Sequence, residues 1–346
     1  MLEPDELRAA VEAGVLDAQQ ADRLAAFLAS RGGAAESPDP DDERFKLIGG
    51  YNDIFVTLGI VLVFAPLAVL MWHSYALPYV CAVTAWALAE IFTRRRRMAL
   101  PSIALSIGFS LACAGAAGFA LNDISAASAL TPASYSILLV GAAVAAGAFA
   151  HHLRFRVPID IALIFLGVLS MAVSALLLWS PDWLAAHAAA YALCVGLVAF
   201  AFAMWFDLSD PARITHRSDT AFWLHLVAAP LIVHGILAGV IGASRFSGEH
   251  AGSVLLVTLV FTLVALAVDR RALIVAALTY AGGAIAYILK GLNGGGRDSD
   301  SLTFTLLLLG AAILLLSVGW RWLRALIVPR LPLGALVARL PPIHAA

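Results

Sequence analysis

Apolar runs about twenty residues long recur from Asn52 almost to the C-terminus, each closed by a short polar break. The hydrocarbon core of a bilayer is about 30 Å thick, so a helix rising about 1.5 Å per residue needs about 20 apolar residues to cross it. The recurrence predicts ten spans, at 52–72, 76–92, 100–120, 133–150, 157–179, 183–205, 220–242, 252–268, 272–290 and 302–320. The expected fold is all-α: a polytopic helical membrane protein with a ten-helix transmembrane domain over 49–320.

The ends of the chain follow other patterns. Residues 1–33 read as a helical hairpin. Pro4 suits a first helical position, Leu7, Ala10 and Val11 share one face, and Gly14 closes the first helix. Asp17 with Gln20 three residues later has the form of a capping box opening a second helix, lined by Leu24, Phe27 and Leu28. Two helices of this size cannot bury enough surface to stand alone. The hairpin is therefore expected to dock on the membrane part, on a second copy of the chain, or on a cytoplasmic protein partner. Residues 34–48 form a linker whose first part, AAESPDPDDE, is acidic and proline-containing. The tail at 321–346 is apolar, basic and interrupted by prolines, which predicts a segment lying along the cytoplasmic membrane surface.

Composition narrows the class. The chain is 62% hydrophobic and 13% charged, against about 25% charged residues in a soluble domain, so the expected environment is the lipid bilayer. A net charge of −1 offers no footprint for a nucleic acid. Charge placement is more telling. The first thirty residues lack the basic start and apolar core of a signal peptide and carry Glu3, Asp5, Glu6 and Glu12, which predicts a cytoplasmic N-terminus. With that start, every second loop is basic. Only Arg245, Lys290 and Arg297 of the 22 Lys and Arg fall on the opposite side. Because Lys and Arg are retained on the cytoplasmic side, both termini are expected to be cytoplasmic.

Candidate chemistry is sparse. Cys81, Cys113 and Cys194 stand singly in apolar stretches, so neither a disulfide framework nor a metal site is expected. No zinc-helix motif, phosphate-binding glycine loop or nucleophile-elbow motif occurs, and no catalytic residue or cofactor is expected. Small residues at Ser106 and Ser110, Ala114 and Gly118, Ala142 and Ala146, and Gly283 near Tyr287 suit close helix packing.

Ionisable groups at membrane depth are costly and are functional candidates by default. His225 and His234 lie in the seventh span, on opposite faces of a regular helix because nine residues at about 100° each make a half-turn excess. Pro230 stands between them and frees the carbonyl of Leu226; Pro66 does the same for Leu62 in the first span. Asp160, after Pro158, and Asp53 sit at helix starts, where the helix dipole favours an acid. Glu90 is placed to pair with Arg94, and the adjacent His151 and His152 read as interfacial. The loop Phe206–Asp219 gathers Asp207, Asp210, Arg213, His216 and Arg217 as candidate ligand or partner contacts, or simply as a solvated loop.

Two functional expectations follow. The first is a transporter-like permease whose pathway is lined by the proline-kinked first and seventh spans, with Asp53, Asp160, His225 and His234 as its polar groups. The alternative is a membrane sensor or assembly scaffold whose N-terminal hairpin recruits a cytoplasmic partner. The hairpin ELRAAVEAGVLDAQQADRLAAFL (6–28), the segment GGYNDIFVTLG (49–59) and the segment SDTAFWLHLVAAPLIVH (218–234) resemble a family of predicted bacterial membrane proteins, that of domain of unknown function 2157. The resemblance implies an N-terminal hairpin, a linker and a polytopic domain in the bacterial inner membrane. It implies no activity.

Overall fold

The computed structural model describes residues 11, 13–14, 17–32, 51–70, 74–127, 133–210, 213, 215–241, 248–292 and 298–331. All regular structure among them is helical, and the chain divides into two compact units, Met1–Phe45 and Lys46–Ala346. In the first unit, α1 spans Ala18–Gly32. Its start is the expected capping box: the Gln20 N–H donates to Asp17 Oδ1 at 2.7 Å and the Asp17 N–H donates to Gln20 Oε1 at 3.0 Å. The first helix of the predicted hairpin and the linker lie almost wholly outside the described residues.

The second unit contains α2 (Tyr51–Leu70), α3 (Leu77–Ala89), α4 (Ala99–Ala127), α5 (Ala133–Phe155), α6 (Ile159–Trp179), α7 (Pro181–Leu208), α8 (His216–Ile241), α9 (Gly248–Val268), α10 (Ala272–Leu292) and α11 (Asp298–Ile327). These match the ten predicted spans in order. Nine are long and apolar enough to cross a membrane among the described residues; α3 is not. It has 13 α-helical residues and is prolonged by a six-residue π-helical segment, Glu90–Arg95. The chain is therefore an all-α polytopic membrane protein.

Its outside is built for hydrocarbon. Val318, Leu315, Leu314 and Leu307 on α11, and Val69, Phe55 and Leu62 on α2, are all more than three-fifths exposed. A contiguous apolar exterior of this kind is untenable in water and natural in lipid. Inside, one core gathers α7 to α11 around residues such as Val233, Leu237, Leu266 and Leu273. A smaller one joins α2, α3 and α4 at Ile60, Ala85 and Leu105.

The tightest helix pairs are consecutive: α5 with α6, and α7 with α8. Both are closed by glycines. A Cβ on Gly141 would stand 2.8 Å from the Gly167 carbonyl oxygen, and one on Gly167 would stand 2.7 Å from the Ala145 nitrogen. In the other pair, a Cβ on Gly235 would stand 2.6 Å from the Leu193 nitrogen and one on Gly196 would stand 2.8 Å from the Ile232 nitrogen. Backbones approach this closely only where one partner lacks a side chain. The predicted small-residue positions fare unevenly. Ser106 and Ser110 are buried, but Gly118 and Gly283 meet nothing within 4 Å. Cys81 is buried, while Cys194 is exposed.

Every turn after an odd-numbered helix from α3 to α9 contains one residue in the left-handed region: Arg97 (φ 52°), Arg156 (55°), Arg213 (52°) and Asp269 (60°). The four turns lie on one face, because consecutive helices alternate in direction and side chains tie the turns together. Arg154 Nε donates to Glu90 Oε1 at 2.7 Å, and Arg213 Nη1 donates to Asp269 Oδ2 at 3.0 Å. Glu90 also takes the predicted Arg94 as partner, at 3.3 Å. At the C-terminal end α11 runs past the predicted boundary at Trp320, continuing through Arg321 and Arg324 to Ile327, and ends in a 3-10 turn at Val328–Arg330, where Pro329 stops the helix. Residues 332–346 lie outside the described residues.

Candidate functional site: two buried histidine–carboxylate pairs

Among the apolar helices, two imidazole–carboxylate pairs are sunk out of reach of solvent. The first sits across the α5–α6 turn. The last turns of α5 carry His151 inward, and Pro158 sets the start of α6 so that Asp160 falls in its first turn. His151 Nδ1 lies 2.9 and 3.1 Å from the two carboxylate oxygens of Asp160, and 3.4 Å from Ser106 Oγ on α4. His151 is 1% exposed and Asp160 is fully buried. With its proton on Nδ1 the ring donates to the carboxylate, and Nε2 remains buried without a hydrogen-bond partner. That nitrogen belongs to a ring set among aromatic neighbours: Phe155 at 4.6 Å between centroids, Phe109 at 5.7 Å and Trp86, edge to face, at 6.1 Å. His152 points away, as adjacent helical residues must. Its Nδ1 approaches the Val157 carbonyl at 3.3 Å and Asp160 at 3.9 Å.

This corrects the interfacial reading of His151. Asp160 does occupy a helix start, but its carboxylate faces a histidine rather than only the helix dipole.

The second pair lies under the α7–α8 turn. Asp207, in the last turn of α7, accepts from His225 Nε2 at 2.9 Å and from Arg270 Nε at 3.2 Å; Arg270 Nη2 makes a further short contact to its other oxygen. Arg270 Nη2 also donates to the carbonyl and the hydroxyl of Ser218, at 3.1 and 2.9 Å. His225 is fully buried and its Nδ1 has no partner. The Phe200 ring meets its edge at 5.3 Å. Burial of a guanidinium at 2% exposure demands this degree of pairing, since an unpaired charge costs several kcal/mol.

A second carboxylate, Asp269, extends the network to α11. It takes Arg213, and Trp320 Nε1 donates to its Oδ1 at 2.8 Å; Arg324 Nη1 lies 3.5 Å away. Asp210 closes the α7–α8 loop on itself by accepting from the N–H and hydroxyl of Thr215, at 2.8 and 2.7 Å. Three of the five loop candidates, Asp207, Asp210 and Arg213, thus bind their own protein. His216 and Arg217 are exposed, with His216 3.5 Å from Asp219.

The four polar groups expected along one pathway do not converge. Asp160 and His225 belong to the two separate pairs. His234 faces outward from α8, with Nδ1 2.8 Å from the Tyr280 hydroxyl of α10. It lies above a groove of about 250 Å³ lined by Leu226, Pro230 and Tyr280. Asp53 is buried on α2, which packs on α3 and α4, whereas α8 packs on α6, α7, α9 and α10. The predicted partition of His225 and His234 onto opposite faces holds, and Pro230 does not break α8. The partners that the sequence concealed are His151, Arg270 and Asp269. His151 read as interfacial, Arg270 counted only among the cations of a basic loop, and Asp269 carried no expectation. Among the described residues, no three His, Cys, Asp or Glu gather as metal ligands. Comparison of the chain with protein-family models, curated proteins and solved structures finds no match.

Proposed function

We propose that this chain is a transporter-like permease of the bacterial inner membrane, with both termini cytoplasmic, and that it couples solute movement to protons at the His151–Asp160 pair. The carrying observation is a charge count. Asp207 is neutralised by Arg270 whatever His225 does. Among the described residues, Asp160 has only imidazoles as ionic partners, His151 at 2.9 Å and His152 at 3.9 Å, so the site is electroneutral only when a proton is shared there. Gain or loss of that proton changes the net charge of a fully buried group, and burying an unbalanced charge is costly. Protonation is therefore a strong bias between two helix arrangements. The pair also touches α4 through Ser106 and Phe109 and α3 through Trp86, so a change there reaches the helices of the smaller core.

The test uses the full chain in proteoliposomes loaded with a pH-reporting dye and challenged with a panel of solutes by chemical class. The expected result is solute-dependent proton movement that falls at least tenfold in His151→Gln and in Asp160→Asn, both still folded. No proton movement with any class, or variants indistinguishable from the parent, would overturn the proposal.

A further inference from the structure

We propose that the α3–α4 and α5–α6 turns together bind the phosphates of anionic phospholipids in the leaflet that they meet. The observation behind this is an imbalance of charge across the basic face. Segments 90–97 and 151–160 carry six arginines, Arg94 to Arg97, Arg154 and Arg156, against two acids, Glu90 and Asp160. Asp160 is fully buried on His151 and answers none of the arginines. Glu90 pairs with both Arg94 and Arg154 and so joins the two turns. Six arginines less Glu90 leaves an excess of five positive charges. Arg95, Arg97 and Arg156 are exposed, and none of the three has an ionic partner among the described residues.

The other turns of this face are different. Segments 207–219 and 269–271 hold four arginines and four aspartates. Arg270 is buried on Asp207, and Arg213 pairs with Asp269. At the end of α11, Arg324 also turns to Asp269 and to the Leu266 carbonyl. Charge in that half is balanced from within, whereas the α3–α4 and α5–α6 turns present theirs outward.

Depth selects the partner. Ile91 and Leu153 are exposed near the ends of these helices, where large aliphatic side chains belong in hydrocarbon. Arg95 follows Ile91 by four residues and Arg156 follows Leu153 by three, about 5 Å along a helix axis. The guanidinium groups therefore fall just beyond the hydrocarbon, at the level of lipid headgroups. Phosphate oxygens at that level accept from the guanidinium fork, and an anionic leaflet attracts clustered arginines at a membrane surface.

The experiment is native mass spectrometry of the detergent-solubilised full chain with phosphatidylglycerol or phosphatidylcholine added at equal concentration. The expected result is saturable phosphatidylglycerol, retained about fivefold or more over phosphatidylcholine; attraction of about 1 kcal/mol for a single arginine already gives that factor. The combined variant Arg95→Gln, Arg97→Gln, Arg156→Gln should abolish the preference, and the corresponding triple lysine variant should keep most of it, which guards against a misfolded protein. Arg217→Gln, which removes an exposed cation from the balanced half, should behave as the parent. Equal retention of the two lipids, or a triple glutamine variant that behaves as the parent, would overturn the assignment and leave only annular lipid. Displacement of the bound lipid by excess inorganic phosphate would overturn it too, in favour of a soluble anion. Lipid retention is read without any transport, so this result and that of the proton-coupling test fail separately.

Discussion

Asp207 shows how much one carboxylate can carry. It joins the end of α7 to His225 on α8 and to Arg270 at the α9–α10 turn. Without it, Arg270 would keep only Ser218 while remaining buried, and such an uncompensated charge costs about 3–5 kcal/mol. His225→Gln leaves the Asp207–Arg270 pair in place and removes one hydrogen bond, worth about 1 kcal/mol. Asp207→Ala is therefore expected to lower the thermal midpoint in detergent at least twice as far as His225→Gln. Equal losses would mean that the guanidinium finds solvent when its partner goes. At this scale the sequence was half legible. Asp160 and His225 stood out because an ionisable group inside an apolar run is conspicuous. His151 and Arg270 did not, because each is masked by basic neighbours. Only the helix phase separates the inward member of His151–His152 from the outward one, and only the path of the turn sends Arg270 inward.

At the scale of elements, length and composition disclosed the spans, whereas contacts between them needed the third dimension. Small residues spaced along one helix identify a face that can be approached, not the neighbour that approaches it. That is why Gly118 and Gly283 stand out in the pattern while the contacts form between Gly141 and Gly167, between Gly196 and Ile232, and between Gly235 and Leu193. A comparison within α8 separates the two kinds of glycine. A methyl on Gly235 would meet the Leu193 nitrogen at 2.6 Å, and a methyl on Gly239 would meet nothing within 4 Å. Gly235→Ala should cost about 1–3 kcal/mol through forced separation of α7 from α8. Gly239→Ala should be neutral or slightly stabilising through its gain in helix propensity. Thermal midpoints of the two purified variants check this, and a stable Gly235→Ala protein would show that the hairpin spreads without penalty. The π-helical segment after α3 was likewise invisible in the apolar pattern, because hydropathy counts residues and not the turns into which they are wound.

The whole molecule is organised by where its cations sit. The turns that carry Arg94–Arg97 and Arg154 and Arg156 are joined through Glu90, and those that carry Arg213 and Arg270 and Arg271 through Asp269. Reporter fusions after residues 97, 156 and 271 are expected to give fluorescent green fluorescent protein and inactive alkaline phosphatase, with the reverse pattern for fusions after Ser180. Active phosphatase after residue 97 would invert the assignment of the basic face to the cytoplasm. The alternation of basic loops was readable from sequence because orientation is decided by charge near helix ends. The ion pairs that stitch those loops together were not, since partners such as Glu90 and Arg154 are 64 positions apart. The left-handed turns add one more consequence. At Arg97 and Arg156 a glycine would adopt the observed backbone at about 1 kcal/mol less, yet it would remove a cation from the face where the basic turns gather. Backbone strain and charge placement thus ask for different residues at the same two positions.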